Sequence, residues 1–185
     1  MDAVSVLKQD HDTVKGLFEQ FERASDTSRK QAILEQIFTE LEIHTAIEEQ
    51  VFYPSACREA PEVEEIVREG VEEHHVVDAL MGEIRAMSPT DDQWEPKAVV
   101  LIENVRHHIE EEEGELFPKL REQLDGQRLA ELGRELERAK EQQDGGVTID
   151  LTRDELYEQA KELGIEGRSD MNKAQLAAAV DAAEQ

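Results

Sequence analysis

The chain has 185 residues, 45 of them acidic and 20 basic, which gives a formal net charge of −25 at pH 7. This charge repels phosphate backbones and anionic membrane surfaces and disfavours both as partners. The single cysteine, Cys57, excludes an intramolecular disulfide, and no segment approaches the roughly 20 apolar residues that span a bilayer. The first ten residues mix charged and apolar side chains and lead into no apolar run. We therefore expect no secretory signal, no membrane partner and a cytoplasmic protein.

Glycine, proline and short polar clusters divide the first two thirds of the chain into four long helical segments. Their predicted limits are 3–24, 28–57, 61–87 and 94–124. Connections this short favour antiparallel neighbours, so the sequence predicts an all-α fold built on an up-down-up-down four-helix bundle. A further helix is predicted at 127–143, where Leu129, Leu132 and Leu136 form an apolar stripe that would cap the bundle.

The composition changes at 142–146, which indicates a short flexible linker. Beyond it, Thr152 and Glu155 have the spacing of a capping box at a helix start, and Gly164 ends this helix before a second one. The predicted organisation is a bundle over 1–125, an extra helix and linker over 126–146, and a small helix-loop-helix module over 147–185.

Two segments of the bundle repeat each other at an offset of 64 residues. Each carries a His-x-x-x-Glu motif followed by an aromatic residue and a proline, in 44–54 and in 108–118. On a helix, positions i and i+4 share a face, so each motif presents one imidazole and one carboxylate to the same point. An earlier pair, Asp10-His11 and Glu73-His74, repeats at an offset of 63 and adds one inward histidine to each half.

The histidines and glutamates of this repeat stand at positions that apolar side chains would normally occupy. His11, for example, lies inside the helical stripe formed by Val4, Leu7 and Val14. A buried carboxylate is costly unless it is paired, hydrogen-bonded or bound to a metal. The sequence therefore predicts a metal site with six ligands. They are His11, His44, Glu48, His74, His108 and Glu112.

Two of these ligands have a histidine next to them. His74 continues the apolar stripe of the third helix and is preferred to His75, which is left on the helix surface. His108 precedes Glu112 by four residues and is preferred to His107.

Other side chains beside the motifs are assigned to ordinary roles. Glu49, Glu110, Glu111 and Glu113 are expected to be solvated, with one of them available to hydrogen-bond a ligand histidine. Tyr53 is interpreted as a helix-end aromatic residue in preference to a hydrogen-bond donor at the site.

The donor set limits the choice of metal. Imidazole and carboxylate ligands without thiolate suit iron, manganese or zinc. Two carboxylates on facing helices can each bridge two ions, and each ion then takes two histidines. This arrangement leaves open coordination positions, at which a redox-active pair of ions binds dioxygen, peroxide or nitric oxide.

Over residues 1–125 the chain resembles the hemerythrin-like domain family, through the Asp10-His11 and Glu73-His74 pairs and both His-x-x-x-Glu motifs. The resemblance implies an oxo-bridged centre of two iron ions, with manganese or zinc less favoured. It also implies oxygen carriage, oxygen or iron sensing, nitric oxide binding, iron handling or peroxide breakdown. The oxygen carriers of the family have a fifth histidine one turn after the third-helix ligand, where this chain has Asp78. Asp78 serves as a weaker ligand or the position is open to water; either favours peroxide turnover or sensing over oxygen storage.

The sequence thus predicts a non-haem di-iron protein that binds or reacts with O2, hydrogen peroxide or nitric oxide in a stress response or in sensing. If the protein is an enzyme, catalase-like turnover is expected. The alternative is a non-catalytic, iron-responsive module whose tail transmits metal occupancy to a protein or nucleic-acid partner.

In the tail, segments 151–157, 163–165 and 167–169 resemble the short module at the N-terminus of the transcription termination factor Rho, which is related in style to SAP modules. The resemblance implies contact with nucleic acid. From Val147 onward, however, 9 acidic and 4 basic residues give a net charge of −5, which suits phosphate poorly. A protein partner is therefore expected before a nucleic acid.

Overall fold

The structure, a computed structural model, describes residues 1–143 and the single positions 160, 161, 163, 165, 180 and 183. The chain divides into two compact units, Met1–Ala139 and Lys140–Gln185. The boundary falls inside the segment that the sequence assigns to a helix and linker. Apart from those six positions, the predicted helix-loop-helix lies outside the described residues.

The first unit confirms the predicted all-α bundle. Its helices are α1 (Ala3–Arg23), α2 (Thr27–Ile47), α3 (Tyr53–Glu59), α4 (Glu64–Arg85), α5 (Trp94–Glu111), α6 (Phe117–Gln123) and α7 (Gly126–Gln143, which ends beyond the unit). Helix α1 packs against α2 and α5, and α4 packs against α5. None of the described helices is both long and apolar enough to cross a membrane.

Short polar side chains set where the first helices begin. Asp2 accepts a hydrogen bond from the backbone N–H of Ser5 at the start of α1, and Asp26 accepts one from the backbone N–H of Arg29 at the start of α2. Both bonds satisfy amides that the helix itself leaves without a partner.

The bundle has four long helical rods, which are α1, α2 continued by α3, α4, and α5 continued by α6. Two of these rods contain a π-helical turn. The turns are Glu48–Phe52, between α2 and α3, and Glu112–Leu116, between α5 and α6. In each one the glutamate carbonyl accepts a hydrogen bond from the amide five residues later, Tyr53 in the first turn and Phe117 in the second. A proline follows directly and supplies no N–H, which interrupts the ordinary helical ladder at the same place.

The polar candidate residues lie between two apolar clusters of the bundle. One cluster gathers the start of α1 with α3, α6 and the leucine stripe of α7, while the other gathers the second half of α1 with α2, α4 and α5. Helix α7 covers the first cluster through Leu129, Leu132 and Leu136. Gly133 permits this approach, since a Cβ there would stand 2.3 Å from the backbone oxygen of Met1.

Candidate metal centre

The fold brings all six predicted ligand side chains into one layer inside the bundle. All six are at most 4% exposed, which places them among apolar neighbours as the sequence pattern predicts. They come from four different rods. The positions are His11 on α1, His44 on α2, Glu48 in the first π turn, His74 on α4, His108 on α5 and Glu112 in the second π turn.

The four histidines form two pairs. The Nε2 atoms of His11 and His44 are 3.2 Å apart, and those of His74 and His108 are also 3.2 Å apart. Each pair comes from one repeat, and within each pair the rings meet edge to face.

Each carboxylate contacts one histidine of each pair. Glu48 lies 3.3 Å from Nε2 of His44 through one oxygen and 3.3 Å from Nε2 of His74 through the other. Glu112 lies 3.2 Å from Nε2 of His11 and 3.7 Å from Nε2 of His108 through Oε2. Glu48 thus reaches both histidine pairs through separate oxygens, which is the position that a bridging ligand needs. Glu112 reaches both pairs through one oxygen and groups with His11, His44 and Glu48 only.

The donor atoms of the six candidate ligands have the surroundings and the spacing that bound cations require. Among the side chains that the structure describes, none hydrogen-bonds to either oxygen of Glu48 or to Oε2 of Glu112, although all three oxygens are buried. A buried carboxylate oxygen without a hydrogen-bond partner destabilises the fold by on the order of 1–3 kcal/mol, and by more when the group is charged. Two donor atoms that share one ion at about 2.1 Å stand about 3 Å apart. The spacings of 3.2–3.3 Å among the histidines and Glu48 match this value, whereas the 3.7 Å between His108 and Glu112 is longer.

Burial and neighbouring charges shift the pKa values of the two glutamates in opposite directions. Burial, together with the negative charge of Glu112, raises the pKa of Glu48 well above its usual value. Burial acts in the same direction on Glu112, but the close approach of His11 and the charge of His108 outweigh it and lower the pKa of Glu112 to about 2. Burial lowers the pKa of His44 to about 4, so this ring is neutral at pH 7 and offers a lone pair.

A carboxylate faces the outer nitrogen of every candidate histidine. Nδ1 lies 3.0 Å from Glu113 in His11, 2.9 Å from Glu49 in His74, and 2.8 Å from Glu73 in His108. The fourth pair is His44 and Asp10, with Nδ1 and Oδ2 3.8 Å apart. A proton on Nδ1 leaves the Nε2 lone pair pointing inward, where a metal would bind it.

These outer carboxylates follow the sequence repeat. Asp10 and Glu73 directly precede a candidate histidine, while Glu49 and Glu113 directly follow a candidate glutamate. Sequence reasoning left Glu49 and Glu113 among solvated residues, with one of them available to a histidine, whereas the structure gives this role to both. Glu113 is also held by Lys8 at 3.2 Å and by Lys15 at 2.7 Å.

Tyr53 lies at the site and is not a simple helix-end aromatic. Its hydroxyl donates a hydrogen bond of 3.0 Å to Oε1 of Glu112, and its ring stacks on His74 with the ring centroids 5.7 Å apart. Burial and the charges of Glu48 and Glu112 raise the pKa of Tyr53 well above its usual value, so it remains a donor. Its counterpart in the second repeat, Phe117, stacks on His11 at the same centroid distance.

The remaining sequence alternatives lie outside the centre. His75 and His107 are exposed on the surfaces of α4 and α5, and Asp78 is exposed one turn after His74. Asp78 belongs to neither of the two groups of donor atoms at the buried centre. Cys57 is partly buried in α3, and burial raises the pKa of its thiol.

A narrow cavity lies against the four imidazoles. It has a volume of about 10 Å³, room for the centre of one water-sized molecule. Besides the candidate histidines, its lining is mainly aliphatic, and neither Glu48 nor Glu112 reaches it. The aliphatic members are Val14, Leu41, Val77, Val105 and Ile109.

Comparisons with known proteins agree with this geometry. Residues 2–120 match the hemerythrin HHE cation binding domain, and residues 150–184 match the N-terminal domain of the Rho termination factor. A DNA nickase of Nostoc sp. is 28% identical over 140 residues, which are 76% of this chain and 39% of that protein.

The fold is also that of a solved structure. A hemerythrin HHE cation binding domain-containing protein of Mycobacterium kansasii, the Rv2633c homolog, superposes with a TM-score of 0.70 at 22% identity. The superposition covers 96% of this chain and 99% of that one. With residues 2–120 matched and the His/Glu layer in place, the chain belongs to the hemerythrin HHE cation binding domain family.

Proposed function

We propose that this chain is a non-haem di-iron protein that reacts with dioxygen, hydrogen peroxide or nitric oxide in a stress-response or sensing role. Peroxide turnover is the reaction to test first. The donor set of four imidazoles and two carboxylates suits iron, and thiolate is absent from the candidate ligands. Two iron ions would supply Lewis acidity and electrons for redox chemistry between the histidine pairs.

The observation that carries the proposal is the cavity against the imidazoles. Its volume of about 10 Å³ has room for about one water-sized molecule, and the described residues of its lining include no lysine, arginine or carboxylate that would pair with a larger charged substrate. Small oxidants meet both conditions. The carboxylates lie away from this cavity, so Glu48 and Glu112 are free to hold ions while the reactant occupies the other side.

The surrounding residues would keep the site dry and correctly oriented. Hydrogen bonds to the outer carboxylates fix the direction of His11, His74 and His108. Phe52 and Phe117 are at most 1% exposed and exclude water from the carboxylate side. The Tyr53 hydroxyl holds one oxygen of Glu112, which restricts the direction in which that carboxylate presents its other oxygen.

Oxygen release from peroxide tests this function. Two molecules of hydrogen peroxide give one dioxygen and two water molecules, so the reaction needs no added reductant. Iron-loaded protein should release oxygen at an electrode, and His74→Ala and Glu112→Ala should abolish the release. His75→Ala is the matched control, because this adjacent histidine is exposed and should retain full activity. Release that survives both ligand substitutions would exclude peroxide turnover at this centre.

A second candidate function is an iron-responsive module without turnover. The candidate ligands come from four rods, so bound ions would tie α1, α2, α4 and α5 together and add to the stability of the bundle. The tail that matches the Rho N-terminal domain would then pass this order to a protein partner. Removing the metal should lower the melting temperature markedly. An equally stable metal-free protein would count against this candidate.

The Nostoc relative is named for DNA nicking, and this chain spans about two fifths of its length. We do not extend that activity to the present chain, because a net charge of −25 opposes approach to a phosphate backbone.

A further inference from the structure

Helix α5 carries a second His-x-x-x-Glu pair beside the one that faces the buried centre. His107 and Glu111 each precede their inward counterparts by one residue and therefore stand about 100° around the helix. At an offset of 64, the corresponding residues of α2 are Ile43 and Ile47. The repeated architecture of the bundle thus does not require this pair, and it is particular to the second repeat.

The pair meets a third donor from α4. Nε2 of His107 lies 3.3 Å from a carboxylate oxygen of Glu111 and 3.7 Å from Oε1 of Glu73. One donor atom of each residue lies within 4.8 Å of the other two. The His107 side chain is 63% exposed and that of Glu73 is 20% exposed. Solvent can therefore complete the coordination of an ion held by these three groups.

Glu73 also contacts the buried centre. Its other oxygen, Oε2, lies 2.8 Å from Nδ1 of His108. One carboxylate therefore joins the surface cluster to a candidate ligand inside the bundle. In the first repeat the counterpart of Glu73 is Asp10. The residues that correspond to His107 and Glu111 there are aliphatic, Ile43 and Ile47.

The charge around the cluster leaves it open to a cation. Among the residues that the structure describes, histidines are the only basic groups within 4 Å of the carboxylates of Glu73 and Glu111. By contrast, Glu113 at the buried centre is paired with two lysines. The surface cluster thus combines an imidazole with two carboxylates that no lysine or arginine of the described residues neutralises.

We propose that His107, Glu111 and Glu73 form a third, solvent-open site for a divalent transition-metal ion. One nitrogen and two carboxylates are a donor set for Mn²⁺, Fe²⁺ or Zn²⁺, with water at the remaining positions. Binding there does not depend on which metal occupies the buried centre. The link through Glu73 gives the site a role in loading that centre, and this role alone rests on the proposed function.

Titration of iron-loaded protein with Mn²⁺, followed by the electron paramagnetic resonance signal of the free ion, tests the site. We expect wild-type protein to bind one Mn²⁺ beyond its buried metal. His107→Ala and Glu111→Gln should weaken this binding at least tenfold, whereas His75→Ala should leave it unchanged because His75 faces Glu72 at 3.6 Å, outside the cluster. The buried metal content should be the same in all four proteins, since neither His107 nor Glu111 is a candidate ligand of that centre.

Two results would overturn the third site. One is a wild-type protein that binds no stoichiometric Mn²⁺, and the other is unchanged Mn²⁺ affinity in both His107→Ala and Glu111→Gln, which would leave an ordinary surface ion pair. The loading role has its own readout, the rate at which metal-free protein takes up Fe²⁺, and both variants should slow it several-fold. Failure of wild-type protein to form an iron centre would contradict the proposed function alone. The third site would then be tested by the Mn²⁺ stoichiometry of metal-free protein, which should be one ion lower in His107→Ala and Glu111→Gln than in wild type.

Discussion

The hydroxyl of Tyr53 donates a 3.0 Å hydrogen bond to Glu112, a residue of the opposite repeat. Space for that hydroxyl is provided by Gly70 on α4, where a Cβ would stand 3.0 Å from the Tyr53 oxygen and 3.4 Å from Cε1 of His108. The equivalents of Tyr53 and Gly70 are Phe117 of the second repeat, which has no hydroxyl, and Leu7 of the first repeat. Each of the two pairs thus takes one residue from each repeat, and the small glycine accompanies the ring that carries a hydroxyl.

A double-mutant cycle tests this fit. Gly70→Ala alone should destabilise the protein by about 1–3 kcal/mol through overpacking, despite the better helix propensity of alanine. In a Tyr53→Phe background the hydroxyl is gone, so the same substitution should be neutral or stabilising. Urea unfolding of the four proteins measures the coupling. Equal effects of Gly70→Ala in both backgrounds would show that the two residues are independent.

The outer carboxylates should control metal affinity. Glu49→Gln and Glu113→Gln each weaken the acceptor for an outer imidazole nitrogen, and we expect each to lower metal affinity about 10–100-fold. Competition with a coloured chelator measures this loss. Glu110→Gln is the control, because Glu110 is exposed on the same helical rod as Glu113. Loss of affinity in the control as large as in the variants would indicate a general effect of surface charge.

Metal binding should release protons. Burial raises the pKa of Glu48 well above its usual value, so this carboxyl keeps its proton to higher pH than an ordinary glutamate, and an ion that binds there must displace the proton. Affinity should therefore rise as the pH is raised. Calorimetry in buffers of different ionisation enthalpy counts the protons released, and Glu48→Gln should release fewer. A pH-independent affinity without proton release would contradict the raised pKa of Glu48.

Helix α7 should be held to the bundle by Arg128. Its guanidinium contacts both oxygens of Glu59 at 2.8–3.0 Å and Glu135 at 3.1 Å. Arg128→Ala should cost about 1 kcal/mol at neutral pH, a modest value for a part-exposed pair. Exposed Arg134 on the same helix provides the control Arg134→Ala.

The same contact predicts a pH dependence. The hydrogen bond with Arg128 lowers the pKa of Glu59 below its usual 4.5. A carboxyl group whose pKa is lower in the folded protein than in the unfolded chain stabilises the fold at pH values above its unfolded pKa. This stabilisation is lost as the pH falls through the folded pKa. The difference between wild type and Arg128→Ala should therefore shrink in acid unfolding experiments below about pH 4.5. A difference that stays constant through this pH range would mean that the contribution of Arg128 does not depend on the charge of Glu59.

The sequence predicts the fold well because its signals are local. Helical periodicity, prolines and short connections place the ends of the first helices within two or three residues of those observed. The inward positions of His74 and His108 also follow from periodicity, since a residue on the apolar stripe faces the core.

The sequence interpretation of Tyr53 was wrong because it assumed a regular α-helix. In such a helix the fifth residue after Glu48 points about 140° away from it. The π turn Glu48–Phe52 inserts an extra residue and brings Tyr53 back toward the face of Glu48. Contacts between helices, such as that of Glu113 with His11, could not be predicted either, because periodicity within one helix does not indicate which residue of another helix a side chain contacts.

Metal content, measured with the optical spectrum of protein purified from iron-supplemented cells, tests the central claim most directly. Two groups of donor atoms share Glu48, so we expect about two iron ions per chain and near-ultraviolet absorption from the ligated pair. Glu48→Gln should lower the iron content, whereas Glu110→Gln should not. One zinc ion per chain, or no metal, would contradict the di-iron centre.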